Sequence, residues 1–307
     1  MNSPRMGDDA NMILAAQAHM PKLRAGSDAA ARLLASGSSQ EWTEAFDSYD
    51  ESVKRLSQEK GRAGLVELDR WWREDFTAAL DSRGAHPYLT KEELVKVVQW
   101  KLWIGVVRPN LLRFASETDA EKVKTKSRDA FLLLRPPSET SGPVTRVSLV
   151  ALRKAVTALT SDLKGVGPAT ASAVLAAQCG GCPFDADEVI DAVMKTGVRK
   201  YSLPEYLEVA ETLDSKAESL GTPWDAESVR KALWSRAMHS RFDIALAPAR
   251  SSAASSKSRK EAIASDVGVG VLDRSEGKGA GKGKKGGCTS SCETTKSGRA
   301  KRHKSSR

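Results

Sequence analysis

Apolar residues recur at steps of three and four from Glu41 to about Phe242, the spacing of one helical face and not the alternation of a strand. Trp42, Phe46, Tyr49, Val53 and Leu56 mark one stripe across 39–60, and Leu65, Leu68, Trp72, Phe76 and Leu80 mark a second. Thr90 and Glu93 are spaced as a capping box, in which each side chain accepts from the other's backbone N–H. They open a helix through Leu94, Val97, Val98, Lys101 and Leu102. The pattern predicts a further helix over 120–134, stopped by Pro136-Pro137, and another over 147–159 with Leu149, Leu152, Val156 and Leu159 on one face. Helices over 203–220 and 225–238 complete the series. No segment combines strand alternation with hairpin turn chemistry. The expectation is an all-α domain over 41–250, packed as a bundle without coiled-coil repeats. Residues 1–40, rich in Ala, Ser and Gly, predict weak order with room for a short helix.

Composition narrows the class. The chain has 307 residues, 40% of them hydrophobic, enough for a sizeable core. No apolar run approaches the roughly 18 residues that span a bilayer, so no membrane partner is expected. The first residues lack the order of a signal peptide, and Asp8, Asp9 and Asp28 are out of place in a transit peptide, so a soluble intracellular protein is expected. The net charge of +9 is unevenly placed. Residues 251–307 hold 14 Lys+Arg against 5 Asp+Glu, and residues 1–250 hold 34 of each. The body is formally neutral, and bulk electrostatic attraction for a polyanion resides in the tail. That tail is rich in Ser, Gly and Lys and poor in large apolar residues, so it cannot bury enough surface to offset chain entropy and is predicted to be disordered. Its Lys301-Arg302-His303-Lys304 run reads as a nuclear-localisation cluster, or as a solubilising, polyanion-binding run. Cys179 and Cys182 form a CxxC, and Cys288 and Cys292 lie far off in the tail with no histidine beside them. They read as separate reduced thiols and not as a zinc site, and no metal or cofactor is expected.

The stretch LKGVGPATA, Leu163 to Ala171, carries the candidate chemistry. Gly165 and Gly167 permit left-handed backbone where two helices must reverse direction, Val166 between them pins the turn to the core, and Pro168 suits a first helical position. The small-residue helix that follows starts with free N–H groups at the positive end of its dipole. With no side chain at either glycine, a phosphate can approach these amides; Lys164 adds a charge and the Thr170 hydroxyl a hydrogen bond. The same letters also describe a plain turn between helices. The stretch resembles the helix-hairpin-helix motif of many DNA repair proteins over about 30 residues, roughly 147–178. The resemblance implies a DNA-glycosylase-like helical domain that grips DNA by its backbone, without regard to sequence, through Lys164, Gly165, Val166, Gly167, Ala169 and Thr170.

Twenty-two positions after Gly165, the run Phe184-Asp185-Ala186-Asp187 resembles the setting of the catalytic aspartate in DNA glycosylases of the endonuclease III type. The family spacing falls on Asp187. By resemblance, this carboxylate would stabilise positive charge on the sugar or help to activate water. Bifunctional members carry a nucleophilic lysine where this chain has Ala169, so a lyase route is not supported at that position and the implied enzyme is a monofunctional N-glycosylase. Two features depart from the pattern: Glu188-Val189 follows the aspartate where a Thr-His pair is common, and the four-cysteine cluster near the C-terminus is missing. On a second reading Asp185 to Glu188 is an Asp-x-x-Glu capping box and Asp187 a solvated first-turn residue.

A wider stretch, about 88–238, is similar to the eukaryotic Amun-like proteins, a nuclear group related to DNA glycosylases. Trp100-Lys101-Leu102 and Arg108-Pro109 carry that similarity upstream of the hairpin. Trp100 and Trp103 can share a helical face, as core residues or as a base-stacking platform. Trp71 and Trp72 cannot, so one of them belongs to the core. Three functions remain open: a nuclear DNA-binding protein of glycosylase-like fold, an active monofunctional glycosylase using Asp187, and a protein-interaction module with a targeting tail.

Overall fold

The computed structural model describes residues 25–134 and 146–243. Pro136-Pro137, the tail with its basic cluster, and Cys288 and Cys292 lie outside the described residues. Every regular element among the described residues is helical: α1 (25–35), α2 (Ser39–Asp47), α3 (Tyr49–Glu59), α4 (Leu65–Arg73), α5 (Asp75–Ser82), α6 (Lys91–Ile104), α7 (Pro109–Glu117), α8 (Ala120–Leu134), α9 (Leu149–Thr160), α10 (Pro168–Leu175), α11 (Asp187–Met194), α12 (Leu203–Leu220) and α13 (Ala226–Phe242). The all-α expectation is met. Part of 1–40 also belongs to the body: α1 buries Ala29, Ala30 and Leu33 in the common core.

The two long stripes are each broken once. At Ser48 the chain leaves α2 with ψ near 5° while the Ser48 hydroxyl donates to the Glu44 carbonyl at 2.7 Å, a local bond that competes with the helical ladder. At Glu74 the backbone turns (φ −115°, ψ −69°) between α4 and α5. The apolar stripe survives both breaks at every position but Phe46, which is exposed: Trp42, Tyr49, Val53, Leu56, Leu65, Leu68, Trp72, Phe76 and Leu80 are all buried. The Thr90–Glu93 box forms with both of its bonds and starts α6. Helix α7 is the element the pattern does not announce. Ala115 is its one core residue, so it has little apolar stripe to display.

Two indoles hold the centre. Trp72 of α4 and Trp100 of α6 stack in parallel with ring centroids 3.9 Å apart, and Phe184 packs tilted against Trp100 at 4.9 Å. Trp100 is therefore core and not a base-stacking platform, and Trp72 is the buried member of its pair. Each indole N–H is satisfied: Trp72 donates to the Ala173 carbonyl of α10 at 2.9 Å, and Trp100 donates to Asp69 at 2.9 Å. Asp69 is fully buried and also accepts from the Tyr49 hydroxyl (3.0 Å) and from Arg73 Nε (2.7 Å). Three donors offset the desolvation of its charge. The effect is to tie α3, α4 and α6 to one carboxylate and α10 to α4 by one indole, which fixes the hairpin helix against the core.

Asp69→Ala strands all three donors and should cost about 3–5 kcal/mol, the range for breaking a buried charged pair. Urea unfolding measures it; a loss below about 1 kcal/mol would mean that water replaces the carboxylate.

Candidate functional site

The reversal between α9 and α10 is built on one left-handed residue. Gly165 has φ +80°, and a Cβ there would lie 2.8 Å from the Phe114 ring of α7, so both backbone and packing demand glycine. Gly167 does not share this role. Its backbone is extended (φ −93°, ψ −179°), which any residue adopts, and a Cβ would meet nothing within 4 Å. Its contribution is open space in front of α10. Leu163 and Val166 are buried, and the Val166 N–H closes the turn on the Leu163 carbonyl at 3.0 Å. Pro168 takes the first helical position as expected.

The amides divide into used and unused. Those of Thr170 and Ala171 both donate to the Gly167 carbonyl at 2.9 Å. Among the described residues the N–H groups of Gly165, Gly167 and Ala169 have no such backbone acceptor; those of Gly167 and Ala169 lie at the positive end of α10, and that of Gly165 lies in the turn before it. Lys164 is exposed, with its amine 4.6 Å from the Phe114 ring. Thr170 departs from expectation: it is 2% exposed, and its hydroxyl accepts from Lys101 Nζ at 3.4 Å, so it faces inward and not toward a phosphate on the outer surface. An open groove of about 420 Å³ runs over the outer side of the turn, lined by residues 160–167.

Gly165, Gly167 and Ala169 also line a second hollow, a cleft of about 260 Å³ shared with Lys101, Arg108, Asp185, Asp187 and Tyr201. Its acidic wall comes from the segment between α10 and α11, which is anchored bond by bond. The Gly180 carbonyl accepts from the Glu227 N–H (2.9 Å), and a side chain at Gly180 would collide with the Asp225 carboxylate. The Tyr206 hydroxyl donates to the Pro183 carbonyl (3.1 Å), the Phe184 N–H to the Glu227 carboxylate (2.9 Å) and the Asp185 N–H to Ser172 Oγ (3.0 Å).

The Asp185 carboxylate is left out of this bonding. It is 3% exposed, and neither carboxylate oxygen has a hydrogen-bond partner. Burial, then the nearby Glu205 and Asp187, push its pKa up to about 7, with Lys101 pulling the other way. Asp187, the residue chosen by spacing, is differently placed. It is the first residue of α11, accepts from the Tyr201 hydroxyl at 3.2 Å and pairs with Arg199 at 3.3 Å. The capping box expected from Asp185 and Glu188 does not form. The N-cap is Ala186, one residue later, and it makes no side-chain cap. Tyr201 is held at φ +50°, in the left-handed region, with its N–H and that of Lys200 bonded to Glu205 (2.8 and 2.9 Å). That strained position, of the order of 1 kcal/mol, aims the phenol at Asp187 and sets the ring 4.8 Å from the Arg108 guanidinium.

The chain matches no family model, no curated protein and no solved structure. The geometry therefore stands alone. It brings Gly165, Gly167, Ala169, Thr170 and Asp187 together at one cleft, leaves Lys164 and Val166 to the outer turn and the core, and adds Lys101, Asp185 and Tyr201, whose part spacing alone does not reveal. Cys179 and Cys182 are both buried and not joined in a disulfide, and no described group of three or more His, Cys, Asp or Glu is arranged to hold a metal.

The Asp185 shift has a sign that unfolding can read. Below pH 3.8 the carboxyl is protonated folded and unfolded alike; between there and about pH 7 only the unfolded chain releases its proton, so stability is lost as pH rises. Asp185→Asn removes that loss. Its stability relative to the native chain should improve by about 4 kcal/mol from pH 4 to pH 8, at about 1.4 kcal/mol per pKa unit. Thermal or urea unfolding at both pH values checks it, and a difference independent of pH would show a solvated carboxylate.

Proposed function

We propose that this chain is a nuclear DNA-binding protein of helix-hairpin-helix, glycosylase-like arrangement, which holds the phosphate backbone at the turn 161–170 and takes one nucleotide unit of the bound strand into the adjoining cleft. The observation that carries this reading is the set of amides at Gly165, Gly167 and Ala169: among the described residues they have no backbone acceptor, they belong to the turn and first residues of α10, and their residues border the cleft. The order of parts supports it as well: α9, glycine turn, small-residue α10, acidic segment, α11. Such contacts read phosphate and not base, so binding is independent of sequence. The body is formally neutral, so affinity at the hairpin comes from local dipoles and from Lys164 and Arg108, while the basic tail adds a salt-sensitive, non-specific share. The tail's basic cluster is the source of the nuclear assignment.

Gly167→Asp is the informative variant, because the position is extended and has open space around it, so the fold accepts the substitution while a carboxylate enters the phosphate seat. Duplex and single-strand binding by fluorescence anisotropy at about 0.1 M salt should weaken tenfold or more, with the unfolding midpoint unchanged. Removing 251–307 should flatten the salt dependence and leave the Gly167→Asp effect in place. Binding by Gly167→Asp at native strength would sink the reading.

A further inference from the structure

Cys179 and Cys182 are the first and last residues of a tight turn that follows α10. The Cys182 N–H donates to the Cys179 carbonyl at 3.0 Å, with Gly180 and Gly181 between them. A turn of this kind holds its first and fourth Cα atoms within about 7 Å, and a disulfide asks for about 4.4–6.8 Å between the same two atoms. The side chains face each other, because the two thiols are hydrogen-bonded. The backbone therefore already has the spacing of a bridge, and closing one asks the sulfurs to move from contact to bonding distance.

The turn is pressed from both sides, which is why glycine stands at both of its central positions. A Cβ at Gly180 would collide with the Asp225 carboxylate, and one at Gly181 would lie 3.0 Å from the backbone of Arg146 and Val147. Both cysteines are buried under this cover. Burial raises the Cys182 pKa and the contact with Cys179 raises it further, so the reactive thiolate is scarce while the turn is closed. Exchange in the folded chain is therefore slow, and a bridge once formed is shielded from attack. The same turn opens the 180–184 segment that leads to Phe184 and Asp185 on the cleft wall.

We propose that Cys179 and Cys182 form a reversible disulfide site, closed by exchange with a small-molecule disulfide of the glutathione type and reopened by the matching thiol. One cysteine, as thiolate, attacks a sulfur of the small disulfide. That S–S bond breaks, one small thiolate leaves, and a mixed disulfide remains. The other cysteine gives its proton to solvent and attacks the protein sulfur of the mixed disulfide, which expels the second small thiolate. The protein pair loses two electrons and two protons; the small disulfide takes up the electrons and, from solvent, the protons, and becomes two thiols. The closed bridge fixes residues 179–182 and stiffens the acidic wall that starts there. The proposal is independent of the backbone-binding reading, since no step of it involves DNA.

The test is disulfide mapping on the full-length chain. The protein is equilibrated in glutathione buffers of graded thiol-to-disulfide ratio, and in parallel is refolded from urea into the same buffers, so that slow access to the folded turn does not decide the result. Remaining thiols are alkylated, and the peptides are read by mass spectrometry. Both routes should converge on a Cys179–Cys182 bridge. In the folded chain it should survive a thiol-to-disulfide ratio about tenfold higher, or more, than the same bridge survives in urea, because the fold places the sulfurs together and the unfolded chain does not. Amide hydrogen exchange at Phe184 and Asp185 should slow in the bridged form. A bridge no more stable folded than in urea would overturn the proposal, and so would Cys179 and Cys182 joined instead to Cys288 or Cys292. Exchange at Phe184 and Asp185 that ignores the bridge would overturn its link to the cleft.

Discussion

The Glu227 carboxylate sets the shape of the cleft. It is buried near the start of α13, is paired with the fully buried Arg230 and accepts the Phe184 N–H, while its own backbone N–H bonds the Gly180 carbonyl. One residue thus fastens both ends of the 180–184 segment, and the Phe184 ring closes the contact by packing on Trp100. With the chain fixed on either side, Asp185 has no freedom to turn its carboxylate outward. Removing Glu227 would leave Arg230 as an uncompensated buried charge and free the segment at once, so the position of the site and the integrity of the core rest on the same pair.

The consequence is a division between two carboxylates two residues apart. Asp187, at the start of α11, has the guanidinium of Arg199 and the phenol of Tyr201. Asp185 has burial and neighbouring negative charge, both of which favour its protonated form. The cost is carried by the rest of the body: an unpartnered buried carboxyl and a left-handed Tyr201 each work against folding. The Trp72–Trp100 stack and the three donors on Asp69 offset them in the adjoining layer.

Local signals were legible in the sequence, and long-range ones were not. Thr90 and Glu93 announced α6 because a capping box is complete within four residues, and α8 and α12 were bounded correctly by their periodicity. Gly165, Val166 and Pro168 announced the turn for the same reason. The breaks at Ser48 and Glu74 escaped because a helical stripe continues in phase across a single kinked residue. Gly167 looked like its neighbour because glycine serves equally for left-handed backbone and for empty space. Asp187 stood out over Asp185 because spacing counts residues, whereas burial and missing partners depend on Ser172, Glu205 and Glu227, which are scattered along the chain. Lys101 was hidden for the same reason, since nothing near it in sequence foretells Thr170.

The far end of α6 bears on the charge balance of the cleft in an otherwise neutral body. Helix α6 delivers Lys101 and then ends at Ile104, beside Gly105 and Val106 on the cleft wall. Its last carbonyls form the negative pole of the helix, which left bare would repel a phosphate. They are occupied: Lys60 Nζ donates to the carbonyls of Ile104 (3.0 Å) and Gly105 (2.8 Å), and Arg62 donates to those of Leu102 and Trp103. Burial and the adjacent Arg62 push Lys60 down to about 8, so the charge is held there against desolvation. The turn between α3 and α4 therefore cancels the unfavourable pole of α6, while α10 offers its favourable pole across the same hollow. Net charge counted over 1–250 misses this, because the local field at the cleft depends on which helix ends are open and which are closed.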